Sequence, residues 1–286
     1  MWPSDHILNR PIDTAPLHPK SGAYINSIGA NTGLKADFGS GLYLRAAIGI
    51  PYNVVEQGQA LVAMRFDIAD ESDPGPYPFP PTARIEGGAS LTGDRHVIVL
   101  DKSNCKLYET FDSHRQPDNS WKAYGGAVFN LNSNALRPDT FSSADAAGLA
   151  ILPSLVRYDD VISGEITHAL RFTAQRTQRH YVWPATHYAS SITDINVPPL
   201  GQRFRLKADF DISAFDPKVQ VILKALKKYG LVLADNGSNW FISGVPDNRW
   251  DNNALRQLSK VLGNHMEAVD VSGLMIDPRS AKSKTH

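Results

Sequence analysis

The chain has 286 residues, 42 % hydrophobic and 20 % charged, and its 29 Lys and Arg balance its 29 Asp and Glu. This composition excludes disorder as the main state, and the even charge supplies no field to gather nucleic acid or an anionic membrane surface. The single cysteine, Cys105, excludes an intramolecular disulfide and a cysteine-based zinc site.

Residues 1–40 are crowded with Pro and Gly and read as an irregular arm laid over the core. Strands are predicted at Tyr43–Ile50 and Ala60–Phe66. The run Asp67–Pro81 carries five prolines, from Pro74 to Pro81, and must be a loop. Arg95–Asp101 is apolar on both faces, the mark of a central strand, and Lys102-Ser103-Asn104 turns it into a partner at Cys105–Phe111. Trp121–Leu131 is a further strand region, broken at Gly125-Gly126. Ser142–Ala147 predicts a short capped helix, and Ser154–Val161 another helical turn. Gly164–Ala174 returns to strand, with His168 on the apolar face beside Ile166, Leu170 and Phe172. Tyr181–Trp183 continues the β pattern as far as Pro184. Arg203–Asp211 alternates, with Phe204, Leu206, Ala208 and Phe210 inward and Arg203, Arg205, Lys207, Asp209 and Asp211 outward.

Asp216-Pro217 starts a helix over 216–229. Val219, Ile222, Leu223 and Leu226 form its apolar stripe, and Gly230 supplies the left-handed stop. Leu231–Ala234 and Trp240–Ser243 read as a hairpin around Asn236-Gly237. Asp251 caps a last helix over 251–262. The expected class is therefore mainly β (α+β), with an antiparallel sandwich or jelly-roll-like core and a few helices. One domain spans 41–276, flanked by the arm 1–40 and a flexible tail at 277–286.

No Walker A, GxGxxG, HExxH, GxSxG or EF-hand pattern occurs, so nucleotide chemistry and a cofactor are not expected. No apolar run reaches the ~18 residues of a membrane span. The first residues lack a basic and an apolar segment, while the composition is loop-rich; the expectation is a secreted protein whose signal peptide has been removed.

Three clusters are candidates for chemistry. Residues 165–188 bring together Glu165, His168, Arg171, Tyr181, Trp183 and His187. Rings stack on sugar faces, carboxylates and Arg take hydroxyl or uronate groups, and His can act as a base. In the second cluster, Asp101 and Glu109 sit on neighbouring strands, at the roughly 5–10 Å used by glycosidase pairs. In the third, Trp240 and Trp250 lie among Asp and Asn residues that turns and caps also explain. His96 and His168, if brought onto adjacent strands, would suit a metal with a carboxylate as third ligand.

The stretches Gly164–Thr173 (GEITHALRFT), Tyr181–His187 (YVWPATH), Asp94–Asp101 and Ala234–Gly244 (ADNGSNWFISG) resemble a group of uncharacterised, mostly exported bacterial proteins. Members of that group often occur beside carbohydrate-binding modules. The resemblance spans roughly residues 10–275; it implies polysaccharide work outside the cell and carries over no catalytic residue.

The reading favoured is an extracellular carbohydrate-active enzyme that cleaves glycosidic bonds in a polysaccharide or oligosaccharide. As a hydrolase it would use carboxylates among Glu165, Asp101 and Glu109, with His168 or His187 moving a proton. As a uronate lyase it would use a His or Tyr base with Arg171 on the uronate. Arg171, Tyr181, Trp183, Trp240 and Trp250 are the expected substrate contacts. The alternatives are a non-catalytic glycan-binding or adhesion module, and a metal-dependent jelly-roll enzyme using His96 and His168.

Overall fold

The doubly apolar run at 97–101 becomes an inner strand, and the helix at 216–229 docks on a second, larger sheet. A computed structural model describes residues 1–88 and 92–284. Its principal strands are Lys35–Asp37 (β1), Tyr52–Val55 (β2), Val97–Asp101 (β3), Lys106–Phe111 (β4), Gly125–Asn130 (β5), Leu170–Ala174 (β6), Arg203–Leu206 (β7), Leu231–Asn236 (β8), Phe241–Ser243 (β9) and Met266–Val269 (β10). Four of them form a sheet in the order β5-β4-β3-β2, and six form a sheet in the order β1-β9-β6-β8-β7-β10. Strand outweighs helix, as expected for a mainly β chain.

The pairing is mixed rather than purely antiparallel. β1 runs parallel to β9, β6 parallel to β8, and β2 parallel to β3. The expected hairpin between 231–234 and 240–243 does not form, because β6 inserts between β8 and β9. Asn236-Gly237 still turns the chain, but over the width of that third strand.

Each sheet buries one face in its own apolar cluster. On the larger sheet, Phe172, Phe204, Leu233, Trp240 and Ile242 pack with Val219, Ile222, Leu223 and Leu226 of the helix Pro217–Lys228. Trp240 stacks on Phe172 at 5.4 Å and meets Phe204 edge-on at 5.7 Å. At roughly 1.5–3 kcal/mol per fully buried large side chain, this cluster is the main cohesive element of the larger sheet. The helix has the expected caps: the Asp216 side chain accepts from the Lys218 N–H, and Lys227 and Lys228 lie in the last turn. The smaller sheet covers Ile98, Leu107, Ala127 and Phe129 with Ile151, Leu152 and Leu155. Its other face lies under Tyr77, Phe79 and Trp121.

Several expectations change. Arg203, expected outward on a wet face, is fully buried. Its guanidinium donates to the carbonyls of Ile7 and Tyr229, and Arg205 donates to those of Ile12, Asp13 and Ala15. The first residues cover that face, which strand alternation cannot reveal. Burial pulls the Arg203 pKa down to about 9. The segment 1–40 is thus more than a wrapping arm, since it also holds the helix Ser21–Ile28 and the edge strand β1. Tyr43–Ile50 shrinks to a short hairpin, Leu42–Tyr43 with Ala46–Ala47, exposed except at Ala46. Ala60–Phe66 contributes Met64–Phe66 to a small sheet with Trp121–Ala123 and His114–Arg115. Residues 142–147 form no helix, whereas a helix does form at Tyr158–Ile162. The last helix divides into Asn252–Leu255, capped by Asp251, and a 3-10 segment Arg256–Lys260. The expected tail is anchored: Ala281 is fully buried, and its N–H donates to the Asn134 carbonyl. Residues 285 and 286 lie outside the described residues. Among the described residues, no helix is long and apolar enough to cross a membrane.

Gly230 joins the helix to β8 at a φ of +68°, where a Cβ would lie 2.1 Å from the Phe204 carbonyl oxygen. Both the torsion and the contact involve backbone, so little can relax. Gly230→Ala is expected to cost at least about 2 kcal/mol in urea unfolding. Lys224→Ala, on the exposed side of the helix, should stay within about 0.5 kcal/mol.

A candidate active site between the sheets

The site begins as a row of polar side chains on the larger sheet. Phe172 pairs with Ile242, and alternation puts Arg171 and Ser243 together on the opposite face. Asp37 pairs with Ser243 and shares that face. The fourth member depends on a bulge. β6 and β8 pair as Phe172 with Leu233 and then Thr173 with Asp235, so Ala234 is an extra residue on β8. In unbroken register Asp235 would point into the core beside Phe172; the bulge turns it to the side of Arg171.

The segment 142–152 is wedged between the sheets and tied to both. Arg171 donates from Nε and Nη2 to the two oxygens of Asp145, both at 2.8 Å. Its Nη1 donates to Ser243 Oγ at 2.6 Å, and its Nη2 reaches Asp235 Oδ2 at 3.3 Å. Arg171 is buried, and the Asp145 side chain is 0 % exposed. On the smaller sheet, Glu109 of β4 is also fully buried and accepts from the N–H groups of Ile151 and Leu152 at 2.8 and 2.9 Å. His96, just before β3, is buried with Nε2 3.0 Å from the Ala144 carbonyl and Nδ1 against Glu86.

These groups divide into two electrostatic kinds. Burial lowers the His96 pKa, but the Glu86 charge and hydrogen bond outweigh it and set it at about 9. Both ring nitrogens face acceptors, which calls for the imidazolium. Desolvation raises Asp235, the Asp145 charge adds to this, and Arg171 offsets part of it, leaving the carboxyl at about 7. Asp37 is also raised, by desolvation and then by the charge of Glu86. Solvent still reaches Asp37, Asp94, Glu86 and Asp235, although protein crowds around them. The result is a cleft in which Asp235 keeps its proton up to about pH 7, while, against desolvation, the His96 charge holds the Glu86 carboxyl below its usual range.

A cavity of about 330 Å³ opens on Asp235, with Phe111, Tyr124, Ser142 and His187 among its lining. Leading away from His187 is a row of near-parallel rings. His187 and Tyr188 lie 5.8 Å apart, Tyr188 and Tyr181 6.3 Å, and Tyr181 and His180 6.1 Å. The Arg179 guanidinium lies 5.9 Å from the Tyr188 ring centre.

The structure redistributes the residues expected from sequence. Arg171 lies at the heart of the cleft, but its donors are committed to Asp145, Ser243 and Asp235, so it positions the floor. His187 lines the cavity, with Nδ1 2.8 Å from the Ala146 carbonyl. Glu109 sits behind the cleft without solvent access. Asp101 lies on the opposite face of the smaller sheet from Glu109, by alternation from Ile98, which pairs with Glu109. There it accepts from the backbone and side chain of Asn104 and holds the turn. The pair Asp101 and Glu109 therefore cannot act together. Glu165 is exposed and pairs with Lys228. His168 is buried against Arg157, Asp160 and the Ala169 carbonyl, apart from the partners of His96. Trp183 donates to the Ser280 carbonyl, Trp240 to that of Gly29 and Trp250 to that of Val245. Trp240 and Trp250 are buried core residues rather than a sugar rim. Tyr181 bonds Asp139 and belongs to the ring row.

Sequence reasoning missed Asp37, Glu86, Asp145, Asp235 and Ser243. Asp235 was masked by the turn signal of the following Asn236-Gly237, and Asp145 by its reading as a helix cap. The one available hint for Asp235 was its place after four apolar residues, at the end of an inner strand.

Fold and site together define a mainly β protein with an acid-lined cleft between two sheets. Compared with protein-family models, curated proteins and solved structures, the chain matches none.

Burial is the largest influence on Glu109 and lifts its carboxyl from 4.5 to about 7, against the lowering by its two backbone bonds. The native state then holds a proton that the unfolded chain releases. Stability should therefore fall as pH rises from about 4.5 to about 7 and level off above, by roughly 3 kcal/mol at 1.36 kcal/mol per pH unit. Urea unfolding across that range checks this, and Glu109→Gln should flatten the dependence.

Proposed function

We propose that this chain is an extracellular enzyme that hydrolyses glycosidic bonds of a polysaccharide, with Asp235 as general acid and Asp37 as general base. The observation that carries the reading is the solvent-reached cleft in which Asp235 is raised to about 7 on the same sheet face as Asp37. Glycoside hydrolysis pairs such a protonated carboxyl with a second, ionised one, the role proposed for solvent-reached Asp37. In the proposed step, the Asp235 proton goes to the glycosidic oxygen as the bond from that oxygen to C1 breaks. Asp37 takes a proton from the water whose oxygen bonds C1. Asp37 and Asp235 lie on strands separated by two others, about 14 Å at strand spacings of ~4.8 Å. That backbone span is wider than the roughly 6.5–9.5 Å between the carboxyls of an inverting pair, so the two side chains must lean toward one another across β9 and β6 to hold a water between them.

The same geometry favours hydrolysis over β-elimination. A lyase needs a cation free to take the uronate carboxylate, and the Arg171 nitrogens already serve three protein partners. The row His187, Tyr188, Tyr181 and His180 supports a chain-like sugar substrate, because aromatic faces take the apolar faces of successive sugar rings. The resemblance to exported proteins and the loop-rich composition support an extracellular setting.

Incubation with a panel of neutral and acidic polysaccharides should release reducing ends. The activity should fall as pH rises through about 7, where Asp235 loses its proton. Asp235→Asn should lower kcat by about 10²–10⁴-fold. Tyr188→Ala should raise KM with little change in kcat. New ultraviolet absorbance from an unsaturated product, or binding without any product, would overturn the hydrolase reading.

A further inference from the structure

Glu86, Asp94 and His96 form a group that the hydrolytic step does not use. One oxygen from each carboxyl and one nitrogen of the imidazole lie within 4.8 Å of one another. Donors bound to a first-row divalent ion at about 2.1 Å lie up to about 4.2 Å apart, so a movement of about half an ångström would close the set. Asp94 is exposed and can move in, while an ion entering between Nδ1 and Glu86 also draws those two groups apart.

Backbone hydrogen bonds bring the three residues together. The Glu86 N–H donates to the His96 carbonyl at 3.0 Å, which keeps the two side chains adjacent. The Asp94 carbonyl accepts from Asp112 N–H at 2.8 Å, and that of Arg95 from Ser113 N–H at 3.2 Å. The His96 ring has a second anchor, its Nε2 directed at the Ala144 carbonyl at 3.0 Å. A metal-binding histidine characteristically gives its far N–H to such a carbonyl, which fixes the tautomer and points the other nitrogen at the ion. Here the other nitrogen, Nδ1, points at Glu86. The anchor holds the ring, and binding of an ion releases the Nδ1 proton that otherwise bridges to Glu86.

We infer that Glu86, Asp94 and His96 bind one divalent transition-metal ion through Nδ1 of the histidine and one oxygen of each carboxylate. One imidazole with two carboxylates suits Zn²⁺ or Mn²⁺. The exposed side of Asp94 leaves positions on the ion for water. His168, expected from sequence as the second imidazole ligand, is not in this group. The site does not depend on the hydrolytic roles of Asp37 and Asp235.

The test uses the full chain freed of metal with EDTA and titrated by calorimetry with ZnCl₂ and, separately, MnCl₂. One ion should bind per chain, with a melting temperature that rises with ion concentration. Asp94→Asn and Glu86→Gln should each weaken binding at least about 10-fold. Asp94 is exposed, so its variant should fold even if the other does not. Failure of the chelated protein to take up either ion would overturn the site, and so would uptake that Asp94→Asn leaves unchanged.

Discussion

The buried pair of Arg171 and Asp145 is the interaction on which the rest of the arrangement turns. An ion this deep in protein costs several kcal/mol unless a partner of opposite charge and good geometry offsets the lost hydration. Arg171 meets that demand with a two-toothed contact to Asp145, both arms at 2.8 Å. The consequence is structural, because Asp145 belongs to neither sheet. The pair pins the segment 142–152 against the larger sheet. From there the segment offers its Ala144 carbonyl to His96 and its Ile151 and Leu152 amides to Glu109, both on the smaller sheet. Three buried polar contacts thus tie the two sheets together through that segment, alongside the apolar packing of Ile151, Leu152 and Leu155. Removing one partner would leave a buried charge uncompensated, which typically costs about 3–5 kcal/mol.

The same guanidinium makes its neighbours unequal. Asp145 receives two short contacts, whereas Asp235 receives one at 3.3 Å. Asp235 is crowded by protein and faces the negative charge of Asp145, so its proton is retained to higher pH. Arg171 therefore does more than neutralise. By committing itself to one carboxylate it leaves a second one poorly compensated, and that second one lies where a cavity opens. A site arranged in this way needs no unusual residue type, since its chemistry arises from how one cation is shared.

The legibility of each element in the sequence depends on the range of the interactions that make it. The helix at 217–228 was legible in full, because its cap, proline, stripe and terminal lysines act within a few residues of one another. The adjoining strands β3 and β4 were legible for the same reason. The insertion of β6 between β8 and β9 was not, since Asn236-Gly237 is compatible with either a tight hairpin or a wider crossing. The burial of Arg203 depends on residues nearly two hundred positions earlier. In the site, Arg171 and His187 were anticipated, but Arg171 is a structural cation here rather than a substrate contact. Glu109 was anticipated as one of a surface pair, and the parity of its strand places it inside and alone.

The β8 bulge shows why parity can mislead as well as inform. Period-two reasoning assigns Leu231 and Leu233 to one face, and it would assign Asp235 to that face too. A carboxylate against Phe172 and Trp240 would be intolerable; the sequence reading did not meet that conflict, because it ended the strand at Ala234 before the Asn236-Gly237 turn. The chain resolves the conflict with one extra residue, Ala234, which reverses the parity of the residues after it. Asp235 then leaves the core for the cleft, and the small side chain of Ala234 fits the buried bulge. The position of the candidate acid is thus a consequence of the core. The hydrophobic face excludes the carboxylate, and the bulge provides the route by which it meets Arg171.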